Sequence, residues 1–245
     1  MTNQEQELRE QIVLIGKLMY DKGLIVGIDG NISARLADGC ILLTPSGLCK
    51  GMMTPEQLII VNLAGRKIDP DTPATQNLNP TSETPMHLEV YKQRPDVQAV
   101  VHAHPPHAIA LSIARVSLAE CIIPETIVNL GLIPTLPYST PASPENAEAI
   151  REAIKGHDAL ILERHGSLTV STRDPLDAYY RTEMLEQATR ITYIFNMLGG
   201  GRSLPAFQVQ KLLNTRRNLG LLRLADEAEF MAACNLTDEK DFQGA

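Results

Sequence analysis

"AVVHAHPPH", residues 99–107, decides how the chain is read. Three apolar residues run into two histidines separated by one alanine, and two prolines then end the extended stretch. Side chains alternate along a strand, so His102 and His104 share one face and Ala103 lies on the other. Imidazoles at that spacing suit a shared metal ion. A pair of surface histidines at a strand end is the structural alternative, and ligands elsewhere in the chain decide between the two.

Working outward, "SETPMHLEVYKQRPD" reads as a helix with Ser82 as N-cap, Pro85 in its first turn and Arg94-Pro95 as its stop. Further upstream, Leu8, Ile12, Ile15, Leu18 and Met19 mark a helix over residues 5–22 that Gly23 closes. "GIDGNISARL" is a glycine-bearing turn entering a strand, "CILLTPSG" a strand ending in a turn, and "LIIVNLAGRKI" a hairpin turning at Ala64-Gly65. A polar loop covers 69–81. Downstream, "PPHAIALSIA" begins a helix, and the apolar, proline-rich region 115–141 predicts short strands and loops. "SPENAEAIREAIKG" is a helix with Ser143 as N-cap and Gly156 at its end. "DALILERHG" and "SLTVST" are strands, and Asp174-Pro175 open a long helix that "GGGRSLP" breaks before a helical tail from residue 203. With no repeat or linker in sight, the pattern predicts one mixed α/β domain over 1–245.

Bulk properties narrow the function. A net charge of −7 and a pI near 5.4 argue against nucleic acid or an anionic membrane as partner, because both need a basic footprint. A local phosphate site remains open, since backbone N–H groups bind anions without net positive charge. Cys40, Cys49, Cys121 and Cys234 show no C-x-x-C spacing and are read as reduced structural thiols. The polar start "MTNQEQELREQ" is unlike a secretion signal, and no stretch of about eighteen apolar residues is present to span a bilayer. A cytoplasmic protein is the expectation.

A third histidine, His165 in "LILERHGSL", sits just past a second apolar strand, where the glycine that follows lets the backbone bend. Two histidines on one face plus one from a neighbouring strand end suit a catalytic zinc with a position left for water or substrate. Taken singly, His165 is a structural histidine. Glu83 lies at the start of the helix at 82, where the helix dipole stabilises any carboxylate; its functional alternatives are a displaceable metal ligand or a proton carrier. Thr81 and Ser82 precede the same helix start, and hydroxyls with free N–H groups there suit a phosphate oxyanion. Gly30-Asn31 and the Ser46-Gly47 turn have the same chemistry, and each alone is an ordinary turn.

The order and spacing of these pieces (G-N-I-S, T-P-S-G, T-S-E, V-V-H-A-H and R-H-G) resemble the class II aldolase/adducin family across residues 7–200, most nearly its fuculose-1-phosphate aldolase type. The resemblance implies a three-layer α/β/α fold around a mainly antiparallel sheet, and a homotetramer with active sites at subunit interfaces. It implies one Zn²⁺, or another divalent metal, on His102, His104 and His165, with Glu83 as catalytic acid/base. Gly30, Asn31, Ser46, Gly47, Thr81 and Ser82 correspond to a phosphate cradle. The substrate would be a phosphorylated sugar, a ketose 1-phosphate cleaved to dihydroxyacetone phosphate and an aldehyde. Cleavage beside a carbonyl leaves an electron pair that a Lewis acid holds. The other solution is a buried lysine as Schiff base, but Lys50, Lys67, Lys92 and Lys155 all fall in polar or turn contexts.

Three alternatives stand beside the aldolase. A non-catalytic adducin-like module would lack the histidines. Pentulose-phosphate 4-epimerases carry an aspartate where Glu83 stands. Methylthioribulose-1-phosphate dehydratases use three histidines with a later glutamate, for which Glu120 or Glu125 would serve. Fuculose-phosphate aldolases supply a tyrosine from the region matching 120–128, where this chain has none; Tyr138 or a group of the C-terminal tail is the substitute. His87 and His107 read as supporting or helix-face residues.

Overall fold

Alternating apolar residues give the strands two buried faces, and helices cover both. In the computed structural model, which describes residues 2–118, 121–223 and 226–234, the strands are β1 (Asn31–Arg35), β2 (Ile41–Leu43), β3 (Ile59–Val61), β4 (Ala99–Ala103), β5 (Thr135–Leu136), β6 (Ala159–Leu162) and β7 (Gly166–Ser171). They form one sheet ordered β3-β2-β1-β4-β7-β6-β5, antiparallel throughout except for the β5–β6 pair. Ile41, Leu43, Val100, Leu160, Leu162, Leu168 and Val170 face one side. There they meet Met86, Val90 and Tyr91 of α2 (Thr84–Gln93), Ile150 of α5 (Pro144–Ile150) and Ile154 of α6 (Ala153–Gly156). Ile32, Ala34, Leu42, Ala99, Val101 and Ala103 face the other. These meet Ile12, Ile15 and Met19 of α1 (Asn3–Asp21), and Ala178 and Tyr179 of α7 (Pro175–Met197). The three-layer α/β/α arrangement is therefore present.

The long helices begin as their sequences direct. Thr2 caps α1 by accepting from the Glu5 N–H at 3.2 Å, and Asp174 caps α7 by accepting from the Asp177 N–H at 2.8 Å. Elsewhere the structure differs from expectation. Among its described residues, the 115–141 region contains a helix, α4 (Pro124–Asn129), and only the two-residue β5. Pro124 supplies the first helical position, and Ile127 is buried against Val209 and Leu213 of α8 (Ala206–Asn218). An apolar run of that length carries no periodicity that separates a strand from a buried helical turn. The helix expected from Ser143 is split at Arg151-Glu152 into α5 and α6, and the N-cap of α2 is Glu83 rather than Ser82.

The tail is docked by buried charge. Arg216 of α8 donates to Asp226 at the start of α9 (Asp226–Ala233) at 2.7 Å and to the Val128 carbonyl of α4 at 2.8 Å. Asp158, just before β6, receives Arg94 and Arg181 at 3.2 Å and Arg223 at 2.6 Å. Burial alone raises the Asp158 carboxyl, yet the three guanidiniums hold it below the usual carboxylate range. Cys121 and Cys234 form a disulfide across 113 residues, contrary to the reduced thiols expected, whereas Cys40 and Cys49 are free. No local spacing could have announced a pairing at that separation. Among the described residues, no helix is long and apolar enough to cross a membrane.

Candidate active site

His102 occupies a buried position of β4, on the face shared with Val100, opposite Asn31 of β1 and Leu168 of β7. His104 lies one residue past the strand, where its N–H donates to the Leu24 carbonyl at 2.9 Å and prolongs the extended path. His165 stands in the β6–β7 turn, its N–H bonded to the Leu162 carbonyl at 3.0 Å. The turn's left-handed residue is Arg164 (φ 62°), not the glycine after His165. Gly166 is required for a different reason: a Cβ there would lie 2.2 Å from the Ala103 carbonyl oxygen and 3.1 Å from the His102 ring. Gly166→Ala is accordingly expected to force β7 away from β4, at a cost of about 1–3 kcal/mol. Thermal melts should show the loss of stability, and metal analysis a loss of retained ion; a variant matching wild type in both would contradict this reading.

The three rings converge. Their centroids are 4.6–5.2 Å apart, and one nitrogen of each lies within 4.8 Å of the others. The His102 Nδ1 faces the Ser167 carbonyl oxygen at 2.9 Å, so it carries the proton, and its Nε2 presents a lone pair. The His104 Nδ1 faces Asp29 at 3.4 Å, which leaves its Nε2 bare as well. These two lone pairs confront each other at 3.0 Å, with the Glu83 carboxylate 3.1 Å from His102 Nε2 and 3.3 Å from His165 Nε2. Electron pairs meet electron pairs here with no hydrogen between them. Glu83 Oε1 is buried without a hydrogen-bond partner. That donor set fits a divalent cation, and the carbonyl and carboxylate behind the rings orient them for one. Burial, then the neighbouring His102, pushes His104 and His165 down to about 4, so both rings are neutral and open to a metal at neutral pH.

Glu83 is the N-cap of α2 but makes no side-chain cap bond; its carboxylate turns inward and accepts from the Asn31 amide at 2.8 Å. The carboxylate thus faces the histidines rather than the free N–H groups of its own helix. Burial alone would raise its carboxyl, and the Asn31 amide N–H works against that by donating to the ionised form. Gly30 (φ 69°) packs where a Cβ would sit 3.0 Å from the His102 carbonyl oxygen. The Ser46 N–H donates to the Asn79 carbonyl at 2.9 Å and Pro45 bridges antiparallel to Pro80, which ties the Ser46-Gly47 turn to the segment just before Thr81. Gly47 (φ 77°) has open space where its side chain would be.

One supporting residue, Asp29, escaped the sequence reading, and others that it weighed take their places in the structure. Asp29 backs His104, though it immediately precedes Gly30-Asn31 in the turn already singled out. Lys50 is buried, not in an open turn, and its ammonium donates to the Ile28 carbonyl at 2.5 Å. Burial lowers its pKa, but that bond commits the group to the loop before β1. His87, one helical turn after Glu83, is fully buried, with Nδ1 2.6 Å from Ser33 Oγ and Nε2 2.6 Å from Asn31 Oδ1. His107 instead pairs with Glu186 at 2.6 Å. Tyr138 is 56% exposed, and Glu125 lines a cleft of about 870 Å³ with His107, Asn129 and Glu186 that includes none of the three clustered histidines. Glu120 lies outside the described residues.

Burial, then His102, takes His87 from its ordinary 6.5 down to about 3. Between those values the unfolded chain binds a proton that the folded chain does not, so unfolding gains as pH falls. Chelator-treated protein should hold constant stability above 6.5 and lose up to about 1.4 kcal/mol per pH unit per such histidine below it. Urea unfolding between neutral and mildly acidic pH reads this, with a shallower decline in His87→Gln; constant stability across the range would contradict it.

Residues 10–193 match the family described as Class II Aldolase and Adducin N-terminal domain. The chain belongs to this family. An L-fuculose phosphate aldolase of Methanococcus maripaludis is 35% identical over 189 residues, covering 77% of this chain and 97% of the relative. A 3-oxo-tetronate 4-phosphate decarboxylase of Haemophilus influenzae is 31% identical over 76% of this chain and 86% of its own length. Among solved structures, the L-fuculose-1-phosphate aldolase of Thermus thermophilus superposes with a TM-score of 0.66 at 32% identity, covering 80% of this chain and 98% of that one. With its histidine cluster and Glu83 intact, this class II aldolase-family chain stands with the family's enzymes rather than with a bare scaffold.

Proposed function

We propose that the chain is a divalent-metal-dependent aldolase that cleaves a ketose 1-phosphate reversibly to dihydroxyacetone phosphate and an aldehyde. The observation that carries this is the meeting of imidazole lone pairs and the Glu83 carboxylate at the start of α2. His102, His104 and His165 would hold the ion, Zn²⁺ being the best match to three nitrogen donors. Once bound, it supplies a Lewis acid for the charge that develops beside the substrate carbonyl.

The remaining work falls to the chain. Thr81, Ser82, Ser46, Gly47 and the Gly30-Asn31 turn bind the phosphate through hydroxyls and N–H groups, fixing the substrate's register. Glu83 handles the carbon-bound proton: it removes one from dihydroxyacetone phosphate in the condensing direction and returns it in cleavage. Its ionised resting form, held by Asn31, is the one that accepts that proton. The exposed apolar residues of α7 (Tyr180, Met184, Ile194 and Met197) support assembly, which we take to be a homotetramer of this one domain with active sites at subunit interfaces, in the cytoplasm.

The relatives named as decarboxylases favour a second reading, loss of CO₂ from a phosphorylated 3-oxo acid, which also leaves an electron pair beside a carbonyl. A coupled assay for triose-phosphate release across several ketose 1-phosphates, with and without chelator, tests the proposal. Chelator-sensitive release supports it. Release of CO₂ from an oxo-acid phosphate instead supports the second reading, and conversion without either product indicates dehydration or epimerisation.

A further inference from the structure

A buried row of polar groups runs away from Glu83 through Asn31, and its members beyond Asn31 play no part in the chemistry assigned above. Asn31 Nδ2 lies 2.8 Å from Glu83 Oε2, and Asn31 Oδ1 lies 2.6 Å from His87 Nε2. His87 Nδ1 is 2.6 Å from Ser33 Oγ, which is 2.9 Å from the Tyr91 hydroxyl. Asn31, Ser33, His87 and Tyr91 are all buried, so water cannot replace a missing donor.

We propose that His87, held as the Nε2–H tautomer, is a positioning residue that fixes which way round the Asn31 side-chain amide lies. A carboxylate only accepts, so Asn31 must turn its NH₂ to Glu83, and its oxygen then faces the imidazole. That ring nitrogen must donate. A neutral ring leaves Nδ1 as an acceptor, so Ser33 donates to it and accepts from Tyr91 in turn. Burial keeps the ring neutral. All four bonds point one way, toward Glu83, and reversing the amide would set oxygen against carboxylate and N–H against N–H.

The value of this orientation to catalysis rests on the reading of Glu83 above, but the tautomer does not. In ¹⁵N-histidine-labelled metal-loaded protein, His87, assigned by its absence in His87→Gln, should carry hydrogen on Nε2 alone. Hydrogen on Nδ1 would overturn the proposal. His87→Gln places an amide N–H near the former Nε2–H and should keep kcat/KM within about threefold. His87→Asn, too short to reach Asn31, should lose about 10- to 100-fold with bound metal unchanged. Equal losses in the two variants would reduce His87 to packing and also overturn it. If Glu83→Gln proves fully active while the tautomer is as stated, the catalytic reading falls and the assignment of the amide stands.

Discussion

Glu83→Gln is expected to lower kcat by about a hundred- to ten-thousand-fold, the usual contribution of a positioned proton carrier. Glutamine keeps the shape of the side chain and still offers Asn31 an acceptor oxygen. Its amide nitrogen would take the Oε1 position, beside His165 Nε2, and the shape of the side chain is kept, so the fold has no reason to fail. What it lacks is a site for the proton on carbon. Steady-state kinetics with thermal melts on the same preparation separate the two effects. A variant with wild-type melting and more than about a tenth of wild-type kcat would remove Glu83 from the chemistry.

His102→Ala should be as damaging by a different route. His102 is fully buried at the centre of the cluster, oriented by the Ser167 carbonyl and touching His104 and Glu83. Losing a supporting partner of a metal ligand costs about 10- to 100-fold in affinity, and losing the ligand itself should exceed the upper figure. The signature is thermal: adding Zn²⁺ at about a hundred times its Kd stabilises a binding-competent protein by about 2.7 kcal/mol, and the variant should gain nothing. A melting temperature that rises equally in both proteins would place the ion elsewhere.

The histidine spacing was legible because strand alternation needs only two residues to declare a face, and because Val100, His102 and His104 obey it through the strand's end. The start of α7 at Asp174 was legible for an equally local reason, a side-chain oxygen three residues ahead of a free N–H, whereas α1 starts at Asn3, ahead of the residue 5 expected, because Thr2 caps it. What stayed hidden depends on distant partners. Gly166 looks like a turn glycine, and only the approach of Ala103 from another strand shows that space, not backbone freedom, selects it. Lys50 looks exposed until α1 covers it: a Cβ on Gly16 would sit 3.1 Å from the lysine's own Cβ. α4 was missed because its burial is supplied by α8, some eighty residues later by the Ile127–Val209 contact. His87 follows Glu83 by one helical turn, a visible signal, yet its partners Asn31 and Ser33 come from β1.

The most direct test is a chelator titration in which bound divalent metal and triose-phosphate release are measured on the same samples. Activity should fall in step with the ion and vanish when about one per chain has been removed, then return with Zn²⁺. Protein stripped of metal that still releases triose phosphate at the original rate would contradict the account.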